Sequence, residues 1–402
     1  MSHEAAHHAL RSEQIEIPQG HALFRLPWVA AGVGGVGLIA SFALRGGDPK
    51  QFAFSWLWAF LFFLSLALGA LYFVLIHYAT QAGWGIVVRR LAENTMASLP
   101  LFAVLFIPVL LGMGELFPWV HPAEHNHLLD GKAPYLNTSF FVIRAAFYFV
   151  AWSAIAWTFI RNSRRQDGSH EPGISRMLKR VSGPAIIVLA LTQTFAAVDW
   201  IMSLDPFWYS TIFGVYWFAG SFVSFFALVT IMVVRLRRWG FLTDVVGLEH
   251  FHDLGKLLFA FTVFWAYIGF SQYFLIWYGN IPEETIFFRH RLEGSWSAVS
   301  LLLAAGHFVV PFFFFMPRTI KRKPALLAAG AAWMLAMHAV DVYWLVMPLM
   351  HPHGVSISGL DIAAFLAIGG LFVGLVAWMM LRAPLVPVGD PRLPESLSFE
   401  NV

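Results

Sequence analysis

Seven ionisable side chains fall inside stretches that are otherwise apolar: His77, Glu115, Arg144, Asp199, His307, His338 and Asp341. A charge near a bilayer centre costs at least ~2.5 kcal/mol on insertion scales, so each needs a partner or a task. His338 and Asp341 are three residues apart, which on a helix puts both on one face. A carboxylate-oriented imidazole of this kind carries a proton near neutral pH. The same spacing also suits a core histidine satisfied by Asp341 or by a backbone carbonyl. His307, on the preceding apolar stretch, lies at a comparable depth and extends the relay. A rival chemistry is a b-type haem between His307 and His338, which needs two axial ligands aimed from adjacent helices.

Glu115, Arg144 and Asp199 share a depth near one end of three consecutive apolar stretches, and are expected to meet in a bundle interior. Two readings stand: an ion pair that orients helices, or a proton half-channel. His77 marks the opposite end of the second stretch. Asp253, beside His250, His252 and Lys256, either loads protons at that membrane face or sits in a solvated loop. His121, Glu124, His125 and His127 form a further cluster, as do His351 and His353. The His121–His125 spacing is compatible with zinc, but Pro-rich loops give it no fixed scaffold, and no metal site or catalytic residue is assigned. The glycines of Gly32–Gly37 have no strand before them and no acidic residue ~20 positions on, so they read as helix packing rather than dinucleotide binding.

The elements that must position these groups are membrane helices. Hydrophobic residues make up 58% of the 402 and charged residues 12%, where a soluble domain carries roughly 25% charge. This excludes a water-soluble enzyme, a nucleic-acid binder and a disordered regulator. A crossing needs about 20 apolar residues, and ten such runs occur, near 24–44, 52–79, 95–118, 138–160, 184–203, 210–234, 257–278, 297–317, 325–348 and 360–381. Phe60 to Leu64 and Phe312 to Phe315 do not alternate in polarity, which rules against a barrel. Of the 26 Lys and Arg, 20 fall in the tails and in the loops after even-numbered spans, and five on the other side. That asymmetry predicts an even number of spans with both termini cytoplasmic. Residues 1–23 and 382–402 are then tails, expected to fray or to lie on neighbouring subunits, around one membrane domain over 24–381. No cleavable leader is expected, because about 23 polar residues precede the first span.

There is no cysteine, so the chain has no thiolate for an iron–sulfur cluster or for c-type haem attachment. Several longer motifs carry a resemblance: Gly83 to Arg90 (GWGIVVRR), Ser203 to Ser210 (SLDPFWYS), Phe251 to Lys256 (FHDLGK), Gln272 to Glu284 (QYFLIWYGNIPEE) and Gly389 to Ser396 (GDPRLPES). Together they resemble the F-type membrane subunits of alternative complex III, the bacterial quinol:cytochrome c oxidoreductase, within the wider polysulfide-reductase membrane-anchor family. The resemblance covers essentially the whole chain. It implies two four-helix bundles, spans 2–5 and 6–9, in the bacterial inner membrane. It also implies a C-type sister membrane subunit, an iron–sulfur subunit, and pentahaem and mono-haem cytochrome c subunits as partners, alongside lipid. Haem c and iron–sulfur clusters then belong to those partners, and this chain contributes to proton translocation and assembly. An alternative gives the chain its own quinol site, with Glu115, Asp199 or Asp205 accepting protons. A distant one is a stand-alone secondary transporter.

Overall fold

The computed structural model describes residues 12–122 and 127–401; Glu124 and His125 of the loop histidine cluster lie outside them. Among the described residues the structure is all-helical, with no strand. Ten helices are long and apolar enough to span a membrane. They are α1 (Ala22–Gly47), α2 (Pro49–Thr80), α3 (Ile86–Leu111), α4 (Thr138–Ser169), α5 (Pro172–Leu204), α6 (Phe213–Arg238), α7 (Leu248–Gly279), α8 (Trp296–Phe315), α9 (Pro324–Leu349) and α10 (Gly359–Met380). In a bilayer every backbone polar group must pair within its own segment, so apolar runs of this length have no other stable state.

Helices α2–α5 pack as one group and α6–α9 as a second, joined where α6 lies against α2 and α5. Helix α2 is the hub: 94% of its most apolar window is buried, against 28% for α1. Asp48 caps α2 by accepting from the Gln51 N–H at 2.9 Å, and Asn137 caps α4 the same way through Phe140. Such caps satisfy N–H groups that the helix itself leaves unpaired.

Helices α1 and α10 form a close pair on the flank of α2. The glycine run makes this possible. A Cβ on Gly37 would lie 2.4 Å from the Ala367 N, and one on Gly370 would lie 2.4 Å from the Gly34 N. Small residues let membrane helices approach backbone to backbone. Gly37→Leu is therefore expected to separate α1 from α10, with overpacking of about 1–3 kcal/mol. A lowered midpoint in a detergent thermal-stability assay checks it; an unchanged midpoint would mean that the pair has room to spare.

Several helix boundaries differ from the hydropathy reading. The third helix begins at Ile86, not near 95, so Arg89 and Arg90 are helical and buried rather than loop cations. Helix α7 begins at Leu248, which places His250, His252 and Asp253 on its first turns instead of in a loop. Helix α3 is broken, running as Ile86–Met96, Leu99–Leu105 and Ile107–Leu111, with a detached turn Met113–Leu116 beyond it. Pro100 and Pro108 stand at the starts of the second and third pieces, where a missing N–H does least harm.

The C-terminal tail neither frays nor projects outward. Leu385 N–H bonds Ile15 O at 2.7 Å, and Asp390, Ser396 and Asn401 reach α3, α7 and the α2–α3 turn. The described N-terminal residues join the same face, through Gln14 to Asp244 at 2.5 Å. Both described chain ends thus share one face, called here the tail face.

Candidate functional site

Five helices, the four of the second group and α2 of the first, converge on one buried polar cluster. Asp341 on α9 is 1% exposed. Its Oδ1 accepts from the Tyr216 hydroxyl of α6, and its Oδ2 accepts from the Trp265 indole of α7 at 3.1 Å. His338, one turn earlier on α9, places Nε2 2.8 Å from Ser65 Oγ of α2. Ser65 donates its only hydroxyl proton to Phe62 O at 2.6 Å. It must therefore accept from His338 Nε2–H, and this fixes the neutral tautomer. His338 Nδ1 is then the bare nitrogen. It stands 3.9 Å from Asp341 Oδ2 and has no hydrogen-bond partner.

Space for the imidazole comes from Gly220 on α6, where a Cβ would sit 2.9 Å from His338 Cε1. His307 on α8 is fully buried, with no hydrogen-bond partner at either ring nitrogen, and its ring lies 3.9 Å from that of Trp265. His307 belongs to a π-helical stretch, Leu303–Val309. Such turns are uncommon and recur at functional sites. The Trp333 indole donates to Gly306 O at 2.6 Å inside that stretch. The expected meeting of His307, His338 and Asp341 thus takes the form of two helices bringing polar groups to the indole of a third.

The arrangement can move a proton. Asp341 and the bare His338 Nδ1 stand 3.9 Å apart, so a proton passing from the carboxyl to the imidazole needs one of the two side chains to close that gap, and would leave a carboxylate held by Tyr216 and Trp265. Beside it lies a cleft of 630 Å³ between α7 and α8, whose inner wall includes Tyr216 and Trp265. Its rim includes Tyr267, Phe270 and Leu301, which are exposed on the outer surface of α7 and α8. Gln272 and Ser300 are among its few polar groups.

Arg144 and Asp199 do meet, between α4 and α5. Arg144 donates twice to Asp199, at 2.9 and 2.8 Å, and Tyr148 donates at 2.8 Å. Tyr135 and Phe140 rings cover the guanidinium at 3.8 and 4.3 Å. The Tyr135 hydroxyl, outside the spans, is pushed up by burial and then by the Asp199 charge. Both carboxylate oxygens are taken, so the geometry is that of a paired, hydrogen-bonded ion pair between α4 and α5. Glu115 is not part of it. It lies in the detached turn after the break in α3 and is exposed. The helix is not continuous there, so depth and facing cannot be extrapolated along it. Glu115→Gln is accordingly expected to leave stability within about 0.5 kcal/mol and turnover unchanged. A coupled-turnover assay that fell with this variant would contradict the placement.

Asp205 is half-buried in the turn after α5, where Oδ1 accepts from Phe207 N–H at 3.2 Å. It is near Arg291, a buried arginine of the short helix Pro282–Leu292 that donates to Trp344 O, Phe287 O and Leu345 O. Burial lowers the Arg291 guanidinium to about 9, and the Asp205 charge opposes this. Glu115, Asp199 and Asp205 do not line the α7–α8 cleft. Asp253 is buried and pairs with Lys256 one turn on. His77 is buried near the tail face, its Nε2 unpartnered. Among the described residues no group of three His, Asp or Glu is placed to hold a metal ion.

The largest polar network was not legible in hydropathy. Glu93 on α3 is fully buried between Arg89 at 3.2 Å and Arg90 at 3.3 Å, and accepts from Ser163 at 2.8 Å. Arg89 also holds Asp390 at 2.6 Å, and Arg90 holds Asp167 at 2.5 Å. Asp361 was missed as well. It accepts from Gln51 at 3.1 Å, Ser55 at 2.5 Å and the Ser358 N–H at 2.8 Å. The Ser-x-x-Asp start of α10 is its sequence signal, a capping box. The ten long apolar helices define a multi-pass membrane protein. The chain matches no family model and no curated protein.

Proposed function

We propose that this chain is an integral membrane component of a quinol:electron-acceptor oxidoreductase of the alternative complex III type, and that it conducts protons and holds the complex together. The observation that carries the reading is the Ser65–His338–Asp341–Tyr216 cluster, with three unpartnered imidazole nitrogens on His307 and His338. Buried groups that can exchange a proton and have spare valence suit a relay better than a scaffold. The motif resemblance supports the same assignment, and the charge asymmetry supports tails facing the cytoplasm of a bacterial inner membrane. Pentahaem, mono-haem, iron–sulfur and sister membrane subunits are the proposed partners. Moving one charge against 100 mV costs about 2.3 kcal/mol, so the drive must come from quinol oxidation in those partners.

A second reading gives the chain its own quinol site. The α7–α8 cleft favours it, being open at the outer surface of α7 and α8 and walled by two residues that hold Asp341. On this reading the quinol would sit away from Glu115, Asp199 and Asp205, which do not line the cleft. Gentle purification from native membranes, with a redox spectrum and identification of the co-purifying proteins, tests both. Haem c bands with a multihaem and an iron–sulfur protein are expected, and bound quinone would add the second reading. Haem b bands from this chain alone would instead make His307 and His338 axial ligands. A colourless, solitary 45.2 kDa protein would sink the assignment and leave a transporter.

A further inference from the structure

His77 stands at a second feature that the central cluster does not use. Its Nε2 and the Tyr78 hydroxyl are buried near the tail face with no hydrogen-bond partner. Both line a small polar cavity of 30 Å³, with Arg89, Asp390, Lys179 and Arg392 also in its wall. A cavity holds a water once it exceeds roughly 10–15 Å³ and offers two or more polar partners. Gly85 keeps the space open, since a Cβ there would lie 3.0 Å from His77 Nε2.

The cavity is covered by the C-terminal tail. Asp390 is latched on Arg89 at 2.6 Å, and Arg392 donates to Gln81 O. Ser396 donates to Trp84 O at 2.6 Å and accepts from Val87 N–H at 3.4 Å. Gly389 passes so close to α4 that a Cβ would meet Gln166 O at 1.9 Å. His250 Nε2 lies 2.9 Å from Ser396 O, which ties the same strap to α7.

We propose that this cavity is a water site through which His77 exchanges protons with the aqueous phase, and that residues 385–401 are the lid that sets its access. The proton-exchange half rests on the conduction reading above; the water site and the lid do not. Hydroxyl-radical footprinting of the intact protein in native membranes reads water directly. His77 and Tyr78 are expected to be oxidised in place, well above Trp152, which is equally buried with its indole bonded to Thr192. Ser396→Ala removes two tail contacts and should raise Tyr78 labelling about tenfold. Gly389→Ala, which forces the strap off α4, should act in the same direction. Labelling no higher than that of Trp152 overturns the water site. Labelling unchanged in both variants overturns the lid. A labelled site in vesicles that translocate no protons would leave water site and lid standing and sink only the proton exchange.

Discussion

Glu93→Ala is expected to deplete the protein from the membrane, the largest stability loss among the single changes considered. Glu93 is the shared anion of two arginines, both fully or almost fully buried, and also accepts from Ser163. Its removal leaves Arg90 with Asp167 alone and Arg89 with Asp390 alone. Breaking a buried ion pair from one side costs about 3–5 kcal/mol, because the remaining charge stays desolvated. Against a total stability of about 5–15 kcal/mol that is a large share. Fluorescence-detected gel filtration after a heating series measures it. A midpoint lowered by about 4–6 °C and a reduced membrane yield are expected. Glu93→Gln keeps one acceptor and should lose less. Equal midpoints for Glu93→Ala and the native chain would show that the network contributes little.

The same network marks the limit of what could be read in advance. All ten crossings were legible, because a run that is apolar all round has only one stable backbone state in lipid. Close packing of α1 through its glycine run was legible too, though not α10 as the partner, and of that run Gly34 and Gly37 make the contact. The start of α3 was not. Hydropathy places Arg89, Arg90 and Glu93 outside the membrane helix, since it cannot register that Asp390, some 300 residues on, neutralises one of them. The tail was misjudged for the converse reason: its polarity suggested fraying, yet Asp390 is the partner Arg89 needs and Ser396 bonds the α2–α3 turn. Glu115 was misjudged because a constant rise per residue was carried through Phe106–Gly112, where proline starts new helical pieces. Arg144 with Asp199, and His338 with Asp341, came out correctly as neighbours. Both inferences rest on unbroken helices.

Asp341→Asn is expected to abolish proton release while leaving the complex assembled. The asparagine oxygen can still accept from Tyr216, but its amide cannot accept from the Trp265 indole. One donor is left unpaired, which costs about 1–3 kcal/mol, less than a lost ion pair. The functional loss is larger, because the amide has no proton to offer His338 Nδ1. General acid–base groups of this kind contribute typically about 10²–10⁴-fold. Protons released per electron, measured in vesicles carrying the intact complex, should therefore fall by about a hundredfold or more. Electron transfer to an artificial acceptor and the set of co-purifying subunits should persist. Tyr216→Phe is the companion variant: it keeps the carboxyl and removes only one hydrogen bond to it, so it should slow proton release far less. Unchanged release in Asp341→Asn would remove the relay from the mechanism. A complex that falls apart in both variants would make the cluster a tie between α6, α7 and α9. His338→Gln separates these outcomes further, since a glutamine amide can still donate to Ser65 Oγ yet has no basic nitrogen to take up a proton.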